Sequence, residues 1–347
     1  MEKKSSNPLK SIITIVVSLA FAGFFLWLAL KGLDFKVIQK SLAKANYFWV
    51  AFASVFGLLA YWFRAIRWNL MLEPMGHRIS NSNALWSISF GYLMNLTIPR
   101  SGEVARATAL YGVEKVPVDK SIGTIILERV VDLVCMLAFL GLTLIFKFNT
   151  IASFWKYVEK EFLKKIEHLV FYFYVLFISL IILLIVFVIF KSKIKSNIFY
   201  KKVIGVLLGI SEGLKTIFNL KQKKKFILYT IGIWVSYYFA AYLVCFALPE
   251  TSDFAFADGF LILVVGTFGM IIPASGGIGA FNLAMKFGFM ALFISMGKSG
   301  EVGGEVGLTY SFISLPLQIT IMLVMGLISI PMLAKARNNV AVKDIQN

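Results

Sequence analysis

The chain has 347 residues, of which 59% are hydrophobic and only 15% are charged, yet its formal net charge is +17. A soluble domain is about 45–50% apolar, so this composition excludes an ordinary soluble enzyme and indicates a membrane protein. The positive surplus is typical of topology signals and of affinity for anionic lipid, and it does not indicate a nucleic-acid partner.

Six apolar runs are long enough to cross a bilayer, which takes roughly 20 mostly apolar residues. They cover residues 11–30, 47–66, 121–146, 169–190, 226–248 and 308–333. The first run is longer than the hydrophobic region of a signal peptide and follows three lysines, so it is interpreted as a retained helix. The sequence predicts an all-α polytopic membrane protein that forms a single membrane domain over residues 1–347.

Two further apolar regions, 84–112 and 255–296, are each interrupted by Pro, Ser and Gly. The first interruption is PRSGE at 99–103, and the second is PASGG at 273–277. Broken backbone at membrane depth is tolerated only where protein or a water-filled cavity satisfies its polar groups. We therefore expect about six full spans and two broken, re-entrant hairpins.

The distribution of charges predicts the orientation of the chain. The loop 191–225 carries ten lysines against one acid, Glu212, which indicates a cytoplasmic loop. The loop 249–254 has acids and no base, so it is predicted to lie outside. Both termini are then expected in the cytoplasm, in a cell (inner) membrane crossed several times.

The same rule places 67–83 and 113–120 inside and 297–307 outside. Region 84–112 therefore enters the membrane from the cytoplasm, and region 255–296 enters it from outside. Such opposed hairpins predict an inverted repeat, with pseudo-repeats at approximately 47–146 and 226–333, as in many secondary transporters. In the alternative, 255–272 and 278–296 both cross fully, and PASGG is a cytoplasmic turn.

Three connecting segments fit this topology less simply. The loops 31–46 and 147–168 should lie outside, yet both are basic, which short amphipathic surface helices would explain. The sequence GEVGGEVG at 300–307 is interpreted as a flexible outer loop.

The first break could bind an anion. Pro99 disfavours helix at the preceding residue, and a helix restarting near Ser101 would present free N–H groups and a positive dipole end. Gly102 permits unusual backbone angles. Glu103 and Arg106, three apart, share a face. This motif allows two interpretations. One is an anion-binding half-helix, and the other is a cytoplasmic loop with a solvated Glu–Arg pair.

A second charged motif, ERVVD at 128–132, lies inside an otherwise apolar span. Each charge at a helix centre costs about 2.5–3.5 kcal/mol on insertion scales, so Glu128, Arg129 and Asp132 need partners or water. A structural ion pair near the cytoplasmic end is one interpretation. A polar cavity is favoured, because Glu103 and Arg106 could reach the same depth.

Arginine is suited to phosphate because its planar guanidinium binds oxygen bidentately. Two arginines of RAIRW at 64–68 share a face at the end of a span, where they could equally be snorkelling anchors. A phosphate headgroup site on the inner side is predicted to use five arginines, namely Arg64, Arg67, Arg100, Arg106 and Arg129.

The second break could also contribute to a binding site. Its glycines, Gly276 and Gly277, allow close backbone approach, and Pro273 and Ser275 interrupt the helix where a ligand or a facing helix could be met. No Lys-Ser/Thr sequence follows these glycines, so nucleotide binding is not indicated.

The two cysteines and two histidines have no metal-ligand spacing, and no catalytic arrangement is recognised. The carboxylates of Glu103, Glu128 and Asp132 could transfer protons or could only form structural ion pairs.

The motifs PRSGEVAR (99–106), ERVVD (128–132), RAIRW (64–68) and PASGGIG (273–279) resemble the flippase-like family, the membrane region of the lysylphosphatidylglycerol synthases. The resemblance covers nearly the whole chain. It implies a lipid flippase that binds an anionic phospholipid or lipid-linked intermediate in a mid-membrane polar cavity, without a cofactor. The alternative is a membrane subunit or enzyme of aminoacyl-phospholipid or lipid-linked glycan synthesis. An ion-coupled transporter of small solutes is a third option.

Two departures from the family pattern matter. The second break commonly reads Pro-x-Pro-Gly-Gly-x-Gly-x-x-Glu, whereas this chain has Ser275 for the second Pro and Asn282 for the Glu. Bifunctional members carry a soluble aminoacyl-transferase domain after the membrane region, and this chain stops at Asn347. We therefore expect a stand-alone member rather than a lysyltransferase, with a partner enzyme and the oligomeric state left open.

Overall fold

The computed structural model describes residues 27, 35–98, 100–162, 220–271 and 277–346. This part of the chain is helical and contains no strand, which confirms the all-α prediction. Its α-helices are α1 Phe35–Lys44, α2 Tyr47–Leu72, α3 Asn81–Thr97, α4 Gly102–Glu114, α5 Val118–Phe162, α6 Lys223–Cys245, α7 Phe256–Ile271, α8 Ala280–Ser295 and α9 Gly300–Gln346.

Four helical segments in the described residues are long and apolar enough to cross a membrane. They are Tyr47–Met75, Val118–Glu159, Lys223–Cys245 and Gly300–Asn338, and each contains or overlaps one of the predicted spans. The other two predicted spans, 11–30 and 169–190, lie outside the described residues apart from Trp27, as does most of the basic loop 191–225. The structure therefore supports a protein that crosses the membrane several times.

The first break occurs where the sequence predicts it. Helix α3 ends at Thr97, and Ile98 is extended, with φ −128° and ψ 110°, as expected for a residue before proline. Arg100 has φ 63°, a left-handed conformation that turns the chain before α4 begins at Gly102. The 17-residue α3 and the 13-residue α4 then pack against each other as a hairpin.

Close contact between two glycines closes this hairpin. A Cβ on Gly102 would overlap the backbone oxygen of Gly91 and would come within 2.6 Å of the Asn95 side chain. The Gly102 N–H also donates a 2.7 Å hydrogen bond to Asn95 Oδ1. Glycine at 102 is therefore required by the space between α3 and α4.

Gly102→Ala is expected to destabilise the protein by about 1–3 kcal/mol, because an added methyl group has no room in this contact. Thermal unfolding of the purified protein in detergent would measure the change. Gly112→Ala on the same helix is a matched control, because its Cβ would meet nothing within 4 Å. The steric explanation is wrong if the two substitutions have the same effect.

The second hairpin consists of α7 and α8, which have 16 residues each. At 1.5 Å per residue each is about 24 Å long, shorter than the roughly 30 Å hydrocarbon core of a bilayer. These lengths favour a broken hairpin over two full spans. Residues 272–276, which include Pro273, Ser275 and Gly276, lie outside the described residues.

Asn282 holds the start of α8. Its Oδ1 accepts a 2.9 Å hydrogen bond from the Gly279 N–H, and its Nδ2 donates a 2.7 Å bond to Ser311 Oγ on α9. Asn282 is buried, so these bonds satisfy a side chain that has no access to water. Asn282 therefore caps α8 and links it to α9 without carrying charge.

Residues 300–307, expected to be a flexible loop, are helical, and so is part of 147–168, where a short surface helix was one expectation. Residues 300–307 form the first turns of α9, because their glycines allow α9 to approach α8. A Cβ on Gly307 would lie 2.5 Å from Met285 O, and one on Gly303 would lie 2.7 Å from Phe293 Cβ. Residues 147–162 continue α5 beyond a kink at Lys147, where φ is −126° and ψ is 22°.

After the short α1, the described helices α2–α5 and α6–α9 have the same order of lengths, namely long, short, short and long. Helix α2 packs along α6, and α9 packs against both α3 and α8. One buried apolar cluster lies between α2 and α6–α9, and a second lies between α2 and α3–α5. The inverted relation between the halves and the orientation in the membrane stay predictions.

Candidate functional site

A buried charge cluster lies where α2, α4 and α5 meet. Arg64 and Arg67 on α2 and Arg106 on α4 are at most 5% exposed, and Glu128 on α5 is fully buried. Arg106 Nη2 lies 2.9 Å from Glu128 Oε2 and its Nη1 lies 3.2 Å from Oε1. Arg64 Nη1 donates to Glu128 Oε1, and Arg67 Nη2 lies 3.9 Å from the same oxygen. One carboxylate thus contacts three guanidinium groups.

Asp132, one helical turn further along α5, forms the second half of the cluster. Its Oδ2 accepts a 3.1 Å bond from Arg64 Nη2, and its Oδ1 accepts a 3.0 Å bond from Arg67 Nη2. Four residues separate Glu128 from Asp132, which places them on one face of a helix. Arg64 and Arg67 are therefore fixed by carboxylates and are not snorkelling anchors.

The second half of the chain also reaches this cluster. Helix α6 contributes Tyr237, whose hydroxyl accepts a 2.8 Å bond from Arg64 Nη2, and Thr230, whose Oγ1 lies 3.4 Å from Arg67 Nη1. Because α2 packs along α6, any shift between these helices would change the contacts of both arginines.

Trp68 forms one wall of the cluster. Its ring centroid lies 3.7 Å from Arg106 Cζ, within the range of a cation–π contact. The Trp68 Nε1–H donates a 2.9 Å bond to Thr124 Oγ1, which fixes the indole against α5. The Arg106 guanidinium is therefore held between an aromatic face and Glu128.

A small cleft opens beside the cluster, between the first hairpin and α5. Its lining residues are Ile88, Gly91, Tyr92, Asn95, Gly102, Glu103, Arg106 and Arg129. Arg129 Nη2 lies 3.2 Å from Glu103 Oε1, and both side chains are about half exposed, at 49% and 46%. The cleft has room for roughly one water molecule, so a lipid headgroup requires the hairpin to move away from α5.

The spacing of Glu103 and Arg106 on α4 suggested that these two residues pair with each other, and the structure differs. Glu103 and Arg106 are not paired with each other in the described structure. Glu103 contacts Arg129, while Arg106 contacts Glu128. Arg129 follows Glu128 directly in the chain and therefore points about 100° away from it around α5. The cluster thus has a buried part and an exposed rim.

Some predicted site residues lie apart from the cleft lining. Arg100 is exposed in the turn between α3 and α4, and Ser101 Oγ bonds to the carbonyls of Met94 and Ile98 at 3.0 and 2.7 Å. Ser101 therefore closes the end of α3. Gly277, with φ 76°, borders the undescribed residues 272–276.

Sequence reasoning missed a second buried ion pair. Lys147 Nζ, at the kink of α5, lies 2.5 Å from Oδ1 of the fully buried Asp258 on α7. Asp258 Oδ2 also accepts a 2.7 Å bond from the Ala255 N–H at the start of α7. The available signal was a single charge at the end of each of two apolar runs. Tyr237, Thr230 and Trp68 carried no signal that separates them from other residues of their spans.

No cluster of three or more His, Cys, Asp or Glu side chains suited to a metal occurs among the residues that the structure describes. The charge cluster itself offers guanidinium groups, carboxylates and aromatic rings. Guanidinium groups bind the oxygens of phosphate or carboxylate, and Arg106 and Arg129 are the two that line the cleft.

No curated protein sequence and no solved structure shows a significant match to this chain. Residues 15–330 match the family described as the lysylphosphatidylglycerol synthase TM region. This range contains all the described elements of both hairpins and the charge cluster between α2, α4, α5 and α6. Because the match covers most of the sequence, the chain belongs to the lysylphosphatidylglycerol synthase transmembrane-region family.

Proposed function

We propose that the protein binds a phospholipid or lipid-linked intermediate by its phosphate group and moves it between the two leaflets of the membrane. The observation that carries this proposal is the cleft beside the first hairpin, where Arg106 and Arg129 face one space at the broken end of α4. Family membership, which ties the chain to the synthesis or translocation of lipid, supports a lipid as the ligand.

The arginines have two roles in this mechanism. Arg129, which is half exposed, makes the first contact with the phosphate, and Arg106 at the floor of the cleft makes the second. Arg64 and Arg67 stay with Asp132 and Glu128, and Glu128 in turn orients Arg106. The Glu103–Arg129 pair must open before Arg129 can bind a ligand.

The hairpins supply the movement. Because the cleft holds only about one water, α3 and α4 must separate from α5 to admit a headgroup, and the second hairpin opens the cavity to the other leaflet. A break in each hairpin allows short helices to move without crossing the bilayer. No nucleotide motif is present in the sequence, so the driving force is a gradient, a partner or the lipid's own distribution.

Arg129→Ala is expected to slow headgroup flipping in liposomes roughly tenfold or more, because a charge-assisted hydrogen bond contributes about 1.5–3 kcal/mol. The assay compares reconstituted wild type and variant at equal protein density with a fluorescent phospholipid. Arg78→Ala is the matched control, since Arg78 is 83% exposed and pairs with Glu73 away from the cleft. The arginine role is wrong if folded Arg129→Ala flips lipid as fast as wild type.

The family's name supports a second candidate, a membrane subunit of a lipid-modifying enzyme. In that case the cleft would present a lipid headgroup to a catalytic partner. The same liposome assay separates the two, because a presenting subunit binds lipid through Arg129 but does not equilibrate it between leaflets.

A further inference from the structure

Helix α1 carries a positive face that the proposed mechanism does not use. Its sequence has Lys36, Lys40 and Lys44 at intervals of four and contains no acid. Residues four apart lie on one side of a helix. Lys40 and Lys44 are exposed, and neither forms an ion pair with an acid in the part of the chain that the structure describes. Helix α1 therefore presents these two ammonium groups to its surroundings.

The opposite side of α1 is held by the protein. Leu42 is partly buried and packs against Leu308 of α9. With 3.6 residues per turn, Leu42 points about 160° away from Lys40 and from Lys44 around the helix axis. The packing of Leu42 therefore turns the lysine face away from the helix bundle.

The junction between α1 and α2 lies at the membrane surface. Helix α2 is long and apolar enough to span, and its first residues, Tyr47 and Phe48, are 56% and 68% exposed. Exposed aromatic side chains at the end of a span are typical of the membrane–water interface. The Tyr47 hydroxyl donates a 3.1 Å bond to the Leu42 carbonyl, and the Asn46 N–H donates a 2.8 Å bond to the Ala247 carbonyl. These bonds hold α1 at the level of the headgroups, where basic amphipathic helices lie.

This membrane surface is not the one beside the charge cluster. Arg64 lies on α2 about 26 Å from Tyr47 along the helix axis, at 1.5 Å per residue. The hydrocarbon core of a bilayer is about 30 Å thick. None of the residues that line the cleft belongs to α1. Helix α1 and the charge cluster therefore lie toward opposite leaflets.

Acidic residues at the same end of the protein lie on other segments. They occur between α6 and α7 and at the start of α9, namely Glu250, Asp253, Glu301 and Glu305. Lys298, in the turn before α9, lies over the Phe293 ring with Nζ 5.5 Å from its centroid. Since like charges repel and opposite charges attract, α1 is the segment at this end that is best suited to an anion.

We infer that α1 is a docking surface for anionic phospholipid in the leaflet at the start of α2, with Lys40 and Lys44 against the lipid phosphates. Basic residues at the membrane surface attract anionic lipid, whereas a zwitterionic headgroup has no net charge for them to neutralise. This surface goes beyond the proposed function, because it contributes no residue to the cleft and lies toward the other leaflet. It concentrates anionic phospholipid beside the end of the protein that the charge cluster does not reach.

Fluorescence quenching at α1 tests this docking. Ala43→Cys, at an exposed position beside Lys44, would carry a bimane label in a full chain that also has Cys135→Ala and Cys245→Ala. The protein is reconstituted in dioleoyl phosphatidylcholine vesicles that contain a small, equal share of phosphatidylglycerol or phosphatidylcholine with a nitroxide near the headgroup. The quenching constant is expected to be about fivefold larger for phosphatidylglycerol, because basic residues at the surface enrich anionic lipid around them.

Lys40→Gln/Lys44→Gln should make the two quenching constants equal. Lys223→Gln/Lys224→Gln is the matched control, because it removes the same charge from two exposed lysines at the far end of α6. The control should leave the preference for phosphatidylglycerol unchanged. Arg129→Ala should also leave it unchanged, because Arg129 lines the cleft, so the inference and the proposed function fail separately.

Three results would overturn the docking surface. The first is equal quenching by the two lipids before any lysine is changed, and the second is a preference that survives Lys40→Gln/Lys44→Gln. Loss of the preference in Arg129→Ala is the third, because the label would then report lipid held by the cleft. Weak quenching by both lipids would place α1 away from the bilayer and would make an acidic soluble protein the occupant, which contradicts the assignment to a lipid.

Discussion

Glu128→Gln is expected to lower the free energy of unfolding by about 3–5 kcal/mol, the usual effect of removing one partner from a buried ion pair. Glu128 is fully buried and contacts Arg64 and Arg106 directly, with Arg67 at 3.9 Å. Glutamine keeps the shape but removes the charge, so the cluster would hold three arginines against Asp132 alone.

A denaturation series of the purified protein in mixed detergent–SDS micelles would measure this loss. Glu103→Gln is the matched control, because Glu103 forms one half-exposed pair with Arg129 and such pairs contribute about 0–1 kcal/mol. Equal stability losses in the two variants would contradict a cluster that depends on Glu128.

Lys147→Met is expected to destabilise the protein by a similar amount, about 3–5 kcal/mol. Asp258 is fully buried, and Lys147 Nζ at 2.5 Å offsets its charge. Methionine would fill much of the same volume but would leave that carboxylate uncompensated beside the kink of α5. The start of α7, which Asp258 holds through the Ala255 N–H, would be the first region affected.

The double variant Lys147→Met/Asp258→Asn distinguishes loss of the ion pair from loss of packing. It should be more stable than Lys147→Met alone, because the unpaired charge is gone, and residues in contact give non-additive effects. Unfolding in the same micelles measures all three variants. If the two single substitutions simply add in the double variant, Lys147 and Asp258 are not energetically coupled.

The sequence predicted the fold most reliably where one residue type restricts the backbone. Proline at 99 disfavours helix before it, and α3 does end at Thr97 with Ile98 extended. The glycines of 300–307 led to a wrong prediction of a loop, because glycine is as compatible with close helix packing as with a loop. Only the contact of α9 with α8 distinguishes the two.

The sequence indicated which charged residues lie near one another better than it indicated which of them form pairs. Charged residues in an apolar span must find partners, so Arg64, Arg106, Glu128 and Asp132 were expected to lie together, and the structure brings them together. Sequence spacing suggested Glu103 as the neighbour of Arg106. The structure pairs Glu103 with Arg129 instead, because α4 turns Arg106 toward α5.

The sequence by itself determined that this is a helical membrane protein with a broken hairpin and charges that need one another, because composition and proline act locally along the chain. Only the tertiary structure decided which charges meet. Two sets of contacts join segments that are far apart in the chain. Tyr237 and Thr230 bond to arginines of the charge cluster, and Lys147 pairs with Asp258. Their proximity depends on how α2 packs along α6 and α5 against α7, which helix periodicity does not encode.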